Sequence, residues 1–505
     1  MKRRKPPRDP RGLNFSRRRF LAGMTAAAGA VVVPGCGDPA PTGTGGGSGS
    51  PDVGPSALPA NPEDSGIDFI VHVQMENRSF DHMLGWVPGA DGVQSRTLKN
   101  VNGEDVQTFH LASDGDYGYQ GCGWADPNHG YDGGRVHLAG GRMDGFLLTG
   151  GTADNPADRF PAGYYLADDV PFYKGVAQHF TVCDRYFHGI LNSTFPNRIY
   201  MHAGQTDRPD NAFYPPGTSA PGPASIETIW DRLAAKGVSG TNYFSDLPLT
   251  ALWGAKYAGI TATFEQFLAD AAAGTLSSVS YFDPNFGYSV GEDPGLSRDD
   301  HPHADIRDGQ AYLDQIYRAL SSGPLWDRTL MIVTYDEWGG FFDHVVPPFK
   351  PISDAEREAT KTVTNPGGND GRLGFRTPCV LIGPRARRGH VSKIQFDPQS
   401  LIDLITWRFG LDPLGARAGT AITNNFAVAL DFTSPPNTDA PDFGVPSGPG
   451  GAPFGVPFAN LCDSPLPGPG DLLAGKSLSP AERSRLEHQQ EFAPLAAMAR
   501  DAGMI

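Results

Sequence analysis

Two short apolar runs dominate the hydrophobic pattern. Residues 67–75 (Ile-Asp-Phe-Ile-Val-His-Val-Gln-Met) and Thr329–Tyr335 are rich in β-branched and aromatic side chains, too short for helices and suited to buried parallel strands. Each run ends in acid, with Glu76-Asn77 after the first and Asp336-Glu337 after the second. A third strand is predicted over residues 378–382, stopped by Gly383-Pro384. Between the strands, Ile306, Leu313, Ile316, Tyr317 and Leu320 recur on one face of a helix. Strands alternating with helices predict an α/β fold with a doubly wound, mostly parallel sheet flanked by helices, in which ligands bind at the carboxyl ends of the strands. Long loop insertions are expected at residues 90–165 and 205–260, and a Pro/Gly-rich stretch at 435–469. A last helix is predicted from Ser479-Pro480, with Glu482 completing a capping box, to about Phe492, where Pro494 should kink or end it.

Of the 505 residues, 39% are hydrophobic and 19% charged, enough apolar surface for a core, while 64 Gly and 46 Pro fit a site built from long loops. The net charge of −15 hides an asymmetry, because residues 1–35 carry nine Lys or Arg against one Asp and the remainder is near −23. Such an acidic body excludes the basic footprint of a nucleic-acid binder and suits a cation-requiring enzyme. The basic start continues into Ser16-Arg17-Arg18-Arg19-Phe20-Leu21 and an Ala-rich apolar run too short to span a membrane, which resembles a twin-arginine export signal. Export to the periplasm or the extracellular space, through the twin-arginine machinery, is the expectation. Val33-Pro34-Gly35-Cys36 resembles a lipoprotein cleavage box apart from its Pro34, so membrane association through an acylated Cys36 stands beside simple cleavage and release. Residues 1–36 are therefore read as the signal, 37–64 as a flexible Gly/Ser/Pro linker and 65–505 as a single domain with a Pro/Gly-rich extension. Cys122, Cys183, Cys379 and Cys462 have no C-x-x-C spacing, which argues against a thiolate metal site; an oxidising compartment would permit disulfides, of unreadable pairing.

The chemistry-bearing residues concentrate in a few short segments. Glu76-Asn77 and Asp336-Glu337 supply three carboxylates and an amide oxygen, a hard-oxygen set for Mg²⁺, Ca²⁺ or Mn²⁺, with Zn²⁺ less favoured unless imidazoles join. Either pair alone is as readily a helix cap. Asn192-Ser193-Thr194-Phe195-Pro196-Asn197-Arg198 has the look of a nucleophile turn, although Thr-Phe-Pro also suits an ordinary loop. His129, His301, His303 and His344 each sit near aspartates, in positions where an imidazole could serve a phosphoryl oxygen or a leaving group.

Taken in order, Met75-Glu76-Asn77-Arg78-Ser79-Phe80-Asp81-His82, Thr194-Phe195-Pro196-Asn197-Arg198, Asp300-His301-Pro302, Tyr335-Asp336-Glu337-Trp338-Gly339-Gly340 and Phe342-Asp343-His344-Val345 resemble the bacterial phospholipase C and acid phosphatase family of phosphoesterases, related in fold to alkaline phosphatase. The resemblance spans residues 67–411 and implies a doubly wound, alkaline-phosphatase-like α/β domain. It implies that Glu76, Asn77, Asp336 and Glu337 hold one or more divalent ions (Ca²⁺, Mg²⁺, Mn²⁺ or Zn²⁺), with Thr194 as nucleophile and further ligand. His129 and His301 would contact the phosphoryl oxygens or leaving group, with His344 as an additional catalytic candidate. The family's proton-transfer Asp-His pair is matched by both Asp300-His301 and Asp343-His344.

The function expected is metal-dependent hydrolysis of a phospholipid or small phosphate ester through a covalent phosphothreonine. An acid phosphatase acting on monoesters is the alternative. A sulfatase shares the Thr194-x-Pro196-x-Arg198 frame, but oxidises Cys or Ser to an aldehyde, which the methyl of Thr blocks. An inactive binding scaffold is disfavoured by the retained ligand set. Thr at the nucleophile leans towards phospholipase C. Fewer than about 100 residues follow Leu411, too few for the two small accessory domains many such phospholipases carry. Trp86, Trp124, Tyr131 and Trp338 are either a cation-binding or lipid-facing wall, or core residues.

Overall fold

The computed structural model describes residues 54–121, 124–149, 158–211, 224–288, 297–419, 424–448, 458, 478 and 480–505. Eight strands form its principal sheet: β1 (Phe69–Met75), β2 (Thr181–Cys183), β3 (Gly240–Phe244), β4 (Thr261–Thr263), β5 (Val279–Asp283), β6 (Thr329–Tyr335), β7 (Cys379–Ile382) and β8 (His390–Ser392). Their spatial order is β8-β2-β7-β6-β1-β5-β3-β4. All neighbours run parallel except β7, which is antiparallel to both β6 and β2. The mostly parallel sheet read from the sequence is thus present, and the third apolar run forms its reversed member.

Alternation along the central strands sorts their side chains onto two faces. Ile70, Leu330 and Ile332 pack on one side, with Ile199, Leu233, Leu401 and Leu495 from helices α3 (Thr194–Ala203), α4 (Ile229–Lys236), α7 (Pro398–Phe409) and α8 (Pro480–Asp501). Val71, Val73, Met331 and Val333 pack on the other, against Phe80, Val176, Phe267 and Ile316 from α1 (Phe80–Leu84), α2 (Pro171–His179), α5 (Phe264–Ala273) and α6 (Ile306–Ser321). Both faces are dry, which is why these strands read as continuous apolar runs. In α6 the predicted face, Ile306, Leu313, Ile316, Tyr317 and Leu320, is the buried one.

Three expectations are corrected. The segment 205–260, read as a loop-rich insertion, contains α4, β3 and a 3₁₀ run over Leu249–Ile260, so part of it belongs to the sheet framework. The ordered body starts before residue 65: Ser56 N–H donates to Val428 O at 2.7 Å, and Asn61 caps the 3₁₀ turn Pro62–Ser65. Helix α8 continues through Pro494 to Asp501. Proline removes one backbone donor there, but Phe492, Leu495, Ala496 and Ala499, at helical spacing, are all buried in the core, and that docking outweighs the lost hydrogen bond.

Cys183 and Cys379 are free, buried thiols, while Cys36, Cys122 and Cys462, together with the proposed signal, lie outside the described residues. Among the described residues no helix is long and apolar enough to cross a membrane.

Candidate active site

β1 and β6 are neighbours in parallel register, with Met75 opposite Tyr335. Their carboxyl ends therefore bring Glu76 beside Asp336 and Asn77 beside Glu337. Asp336 Oδ1 accepts from Asn77 N–H (3.0 Å) and Glu337 N–H (2.7 Å), stitching the two ends together. Asn77 adopts the left-handed conformation (φ 57°), which a short polar side chain tolerates, and Gly339 is obligatory opposite it because a Cβ there would collide with the Asn77 carbonyl. In the amide orientation its neighbours require, Asn77 donates to Glu337 Oε1 and lies 3.3 Å from Glu76 Oε2, while its oxygen accepts from His301 Nε2 at 3.1 Å.

Thr194 opens α3, after Ser193 in extended conformation. Pro196 sits in the first turn, where a missing N–H costs little. Asn197 fastens the turn: its amide donates to Asn192 O (2.8 Å) and Ser193 O (3.0 Å), and its oxygen accepts from Ile190 N–H (3.0 Å). One helical turn beyond Thr194, on the same face, Arg198 places its guanidinium 2.7 Å from Glu76 Oε1 and 3.5 Å from Asp336 Oδ2, all fully buried. The helix thereby holds Arg198 against the acidic strand ends.

Two loops supply imidazoles. His129 Nδ1 is 2.5 Å from Glu337 Oε1 and its Nε2 is 3.6 Å from Asp126 Oδ2; His301 Nε2 lies 3.6 Å from the same Asp126 oxygen. Burial disfavours a charged His129, but Glu337 and Asp126 outweigh it and its pKa lies well above the ordinary value. Burial, with His488, His303 and His129 nearby, pushes that of His301 well below it. Two neighbouring imidazoles whose pKa values are pushed apart suit one proton donor and one neutral partner. Burial raises Glu76, Asp336 (to about 6) and Glu337 (to about 7) against the opposing influence of Arg198 or His129. Three carboxylates so close are costly to ionise together. Asp126, His301 and His303 also converge within 4.8 Å, a ligand group richer in nitrogen.

His344 makes its bonds within a second acidic cluster. Its Nδ1 pairs with Asp81 Oδ2 at 2.6 Å and its Nε2 with Asp91 Oδ1 at 3.1 Å, around Arg376, which bridges Asp81 (3.1 Å) and Asp343 (3.0 Å). No hydrogen bond among the described residues joins it to Glu76, Asn77, Asp336, Glu337 or Thr194, and Arg376 already supplies that cluster's cation. In neither Asp300-His301 nor Asp343-His344 do the two side chains bond to each other: Asp300 accepts from Tyr335 Oη, and Asp343 pairs with Arg376. The aspartate serving the site imidazoles is Asp126, whose neighbour His129 was legible in sequence although its own role was not.

Trp338 is fully buried and stacked on His188, hence core, whereas Tyr131 is half-buried with Arg135 over one face of its ring. Trp124 stacks on Phe160. Reading the sequence also missed Arg198 as a partner of the acidic set, and missed His488 and Glu491 of α8. Burial places Glu491 high, at about 8, with His129 opposing and Asp126, Glu337 and Asp336 reinforcing. Only the position of Arg198 in the Thr194-x-Pro196-x-Arg198 frame signalled any of these.

Residues 67–412 match the Phosphoesterase family. The chain belongs to that family. Phospholipase C A of Mycobacterium tuberculosis is 29% identical over 510 residues, covering 86% of this chain and 88% of that protein. Phospholipase C B of the same organism is 30% identical over 433 residues (75% and 80% covered), and non-specific phospholipase C6 of Arabidopsis thaliana 27% over 412 (75% and 74%). Among solved structures, human ectonucleotide pyrophosphatase / phosphodiesterase 5 aligns with a TM-score of 0.33 at 12% identity, over 52% of this chain and 94% of that one. A protein in the alkaline phosphatase superfamily from Vibrio parahaemolyticus aligns with a TM-score of 0.33 at 11% identity, over 51% and 63%. With its family established, this phosphoesterase is a phosphoric ester hydrolase.

Proposed function

We propose that this phosphoesterase is a phospholipase C-like enzyme that cleaves phosphodiesters through a covalent phosphothreonine at Thr194. The observation carrying this reading is the meeting of three carboxylates, Asn77 and Arg198, which follows Thr194 by one turn of α3, at the ends of two adjacent parallel strands, flanked by His129 and His301.

The donor set fits a divalent cation. Asp336 Oδ2 is buried without a hydrogen-bond partner, and Arg198 offsets only part of the charge of Glu76, Asp336 and Glu337. Glu76, Asn77, Asp336, Glu337 and Thr194 would hold it. A bound divalent ion lowers the pKa of a hydroxyl and neutralises phosphoryl charge.

Thr194 Oγ forms a bond to phosphorus as the ester bond to the departing alcohol breaks. His129, whose protonated form Glu337 and Asp126 favour, would donate to the leaving oxygen, and the hydroxyl proton of Thr194 balances the proton the alcohol gains. Water then attacks the phosphothreonine, returns a proton to Thr194 Oγ and releases the phosphorylated headgroup. Replacing His129 or His301 by Gln is expected to lower kcat roughly 10²- to 10⁴-fold, measured by steady-state hydrolysis of a chromogenic diester. Losses under about threefold would remove both imidazoles from proton transfer.

The diester preference is supported by the phospholipase C relatives. It is tested by kcat/KM for p-nitrophenylphosphorylcholine against p-nitrophenyl phosphate. The diester is expected to be preferred, and a monoester preference of roughly tenfold or more would make the protein an acid phosphatase.

We further propose export, on the motif Arg17-Arg18 and its apolar run. Arg17→Lys combined with Arg18→Lys is expected to strand the precursor in the cytoplasm on fractionation, and an unchanged distribution would exclude the twin-arginine route. Cys36→Ala should release any membrane-held protein; unaltered association would exclude acylation at that residue.

A further inference from the structure

Helix α8 reaches the site through side chains that the mechanism above does not use. It docks by Phe492, whose ring stacks on Phe286 (4.7 Å) and meets Phe195 edge-on (5.5 Å). Glu491 and His488, on the site side of that anchor, are one helical turn apart. The His488 ring centre lies 4.0 Å from that of His301, and its Nε2 is held at 3.1 Å by Phe286 O. Glu491 Oε1 accepts from the side-chain amide of Asn211, and Asn211 Oδ1 accepts from Phe195 N–H at 2.8 Å. That N–H is among the first amides of α3, which have no intrahelical acceptor. A continuous hydrogen-bonded path thus runs from α8 to the residue directly after Thr194. Glu491 is half-buried, and its raised pKa, due first to desolvation and then to Asp126, Glu337 and Asp336 against His129, agrees with its nearness to those groups.

We propose that Glu491 is a positioning residue: through Asn211 it holds the first turn of α3 and so fixes the direction of Thr194 Oγ, making α8 a wall of the active site. This rests on Thr194 being the nucleophile. Asn211 alone caps the amide but swings about its own side-chain torsions, and the bond to Glu491 removes that freedom.

The test uses the full chain with Glu491→Ala, Glu491→Gln, Asn211→Ala and the Glu491→Ala/Asn211→Ala pair, assayed on p-nitrophenylphosphorylcholine with Thr194→Ala in parallel. Glu491→Ala and Asn211→Ala are each expected to lower kcat about 10- to 100-fold with KM within about threefold, the size of loss a small misalignment produces. Glu491→Gln keeps an oxygen for Asn211 and is expected to stay within about threefold of wild type. The double variant should be no worse than the poorer single one, because both changes break one path. Wild-type kcat in Glu491→Ala, a Gln variant as impaired as the Ala variant, or losses that multiply would each overturn the proposal. Should Glu491→Ala fail to fold, Glu491→Gln and Asn211→Ala decide alone: a wild-type Asn211→Ala or an impaired Glu491→Gln overturns it. An inactive Thr194→Ala beside wild-type Glu491 variants defeats only the positioning role, whereas an active Thr194→Ala defeats the nucleophile reading beneath it.

Discussion

Thr194→Ala is expected to lower kcat by at least about 10³-fold, the scale on which covalent hydrolases lose activity when the attacking group is removed. The hydroxyl stands at the first residue of α3, one turn above Arg198 and its partners Glu76 and Asp336. No other side chain on that helix face can take its place. Thr194 is buried rather than on the surface, so its loss also carries a stability cost, on the order of 1 kcal/mol. The cap residue Ser193 and the Asn197 contacts remain, and the helix should still form. Thr194→Ser restores the oxygen and should recover most of the turnover. The measurements are kcat on a chromogenic diester and the urea midpoint of each variant. A Thr194→Ala protein keeping more than about a tenth of wild-type turnover would show that water attacks directly.

Removing the proposed divalent ion is expected to be as severe. Glu76, Asp336 and Glu337 are buried with Arg198 and His129 as cationic partners, and their mutual repulsion is only partly offset by these two. Chelation should abolish turnover and lower the thermal midpoint, and a divalent ion should restore both, because a ligand that binds only the folded state stabilises it by mass action. Asp336→Asn is the cleaner substitution, since its oxygen can still accept from the amides of Asn77 and Glu337 while the charge is lost. Glu76→Gln removes the closer of the two ionic partners of Arg198, 2.7 Å away against 3.5 Å for Asp336, and should destabilise the apo protein more. Metal content by mass spectrometry reads the effect independently of activity. Full activity in verified metal-free protein would remove the site assignment.

Local signals were strong where one segment carries its own chemistry. The runs 67–75 and Thr329–Tyr335 are buried on both faces, so their apolar continuity announced β1 and β6, and the acids that follow them announced a candidate site at the carboxyl ends of a doubly wound sheet. The amphipathic face of α6 was equally plain, because helical spacing is a property of adjacent turns. Pro494 misled, since proline's local penalty is known from sequence whereas the docking of Phe492, Leu495 and Ala499 that overrides it is not.

The sequence by itself determined the α/β class, the two acidic strand ends, the Thr194 turn and the imidazole segments, because each is written in a few consecutive residues. Tertiary structure alone decided which of these meet. Register between β1 and β6 sets Glu76 against Asp336, and Arg198, chosen from many arginines, becomes their partner because α3 crosses those ends. His344 is drawn to Arg376 and Asp81 instead, although its motif resembles that of His301. Glu491 arrives from nearly 300 residues beyond Thr194. Pairing across such separations follows from strand order and helix packing, which are sums over the whole core and leave no mark on any short stretch of chain.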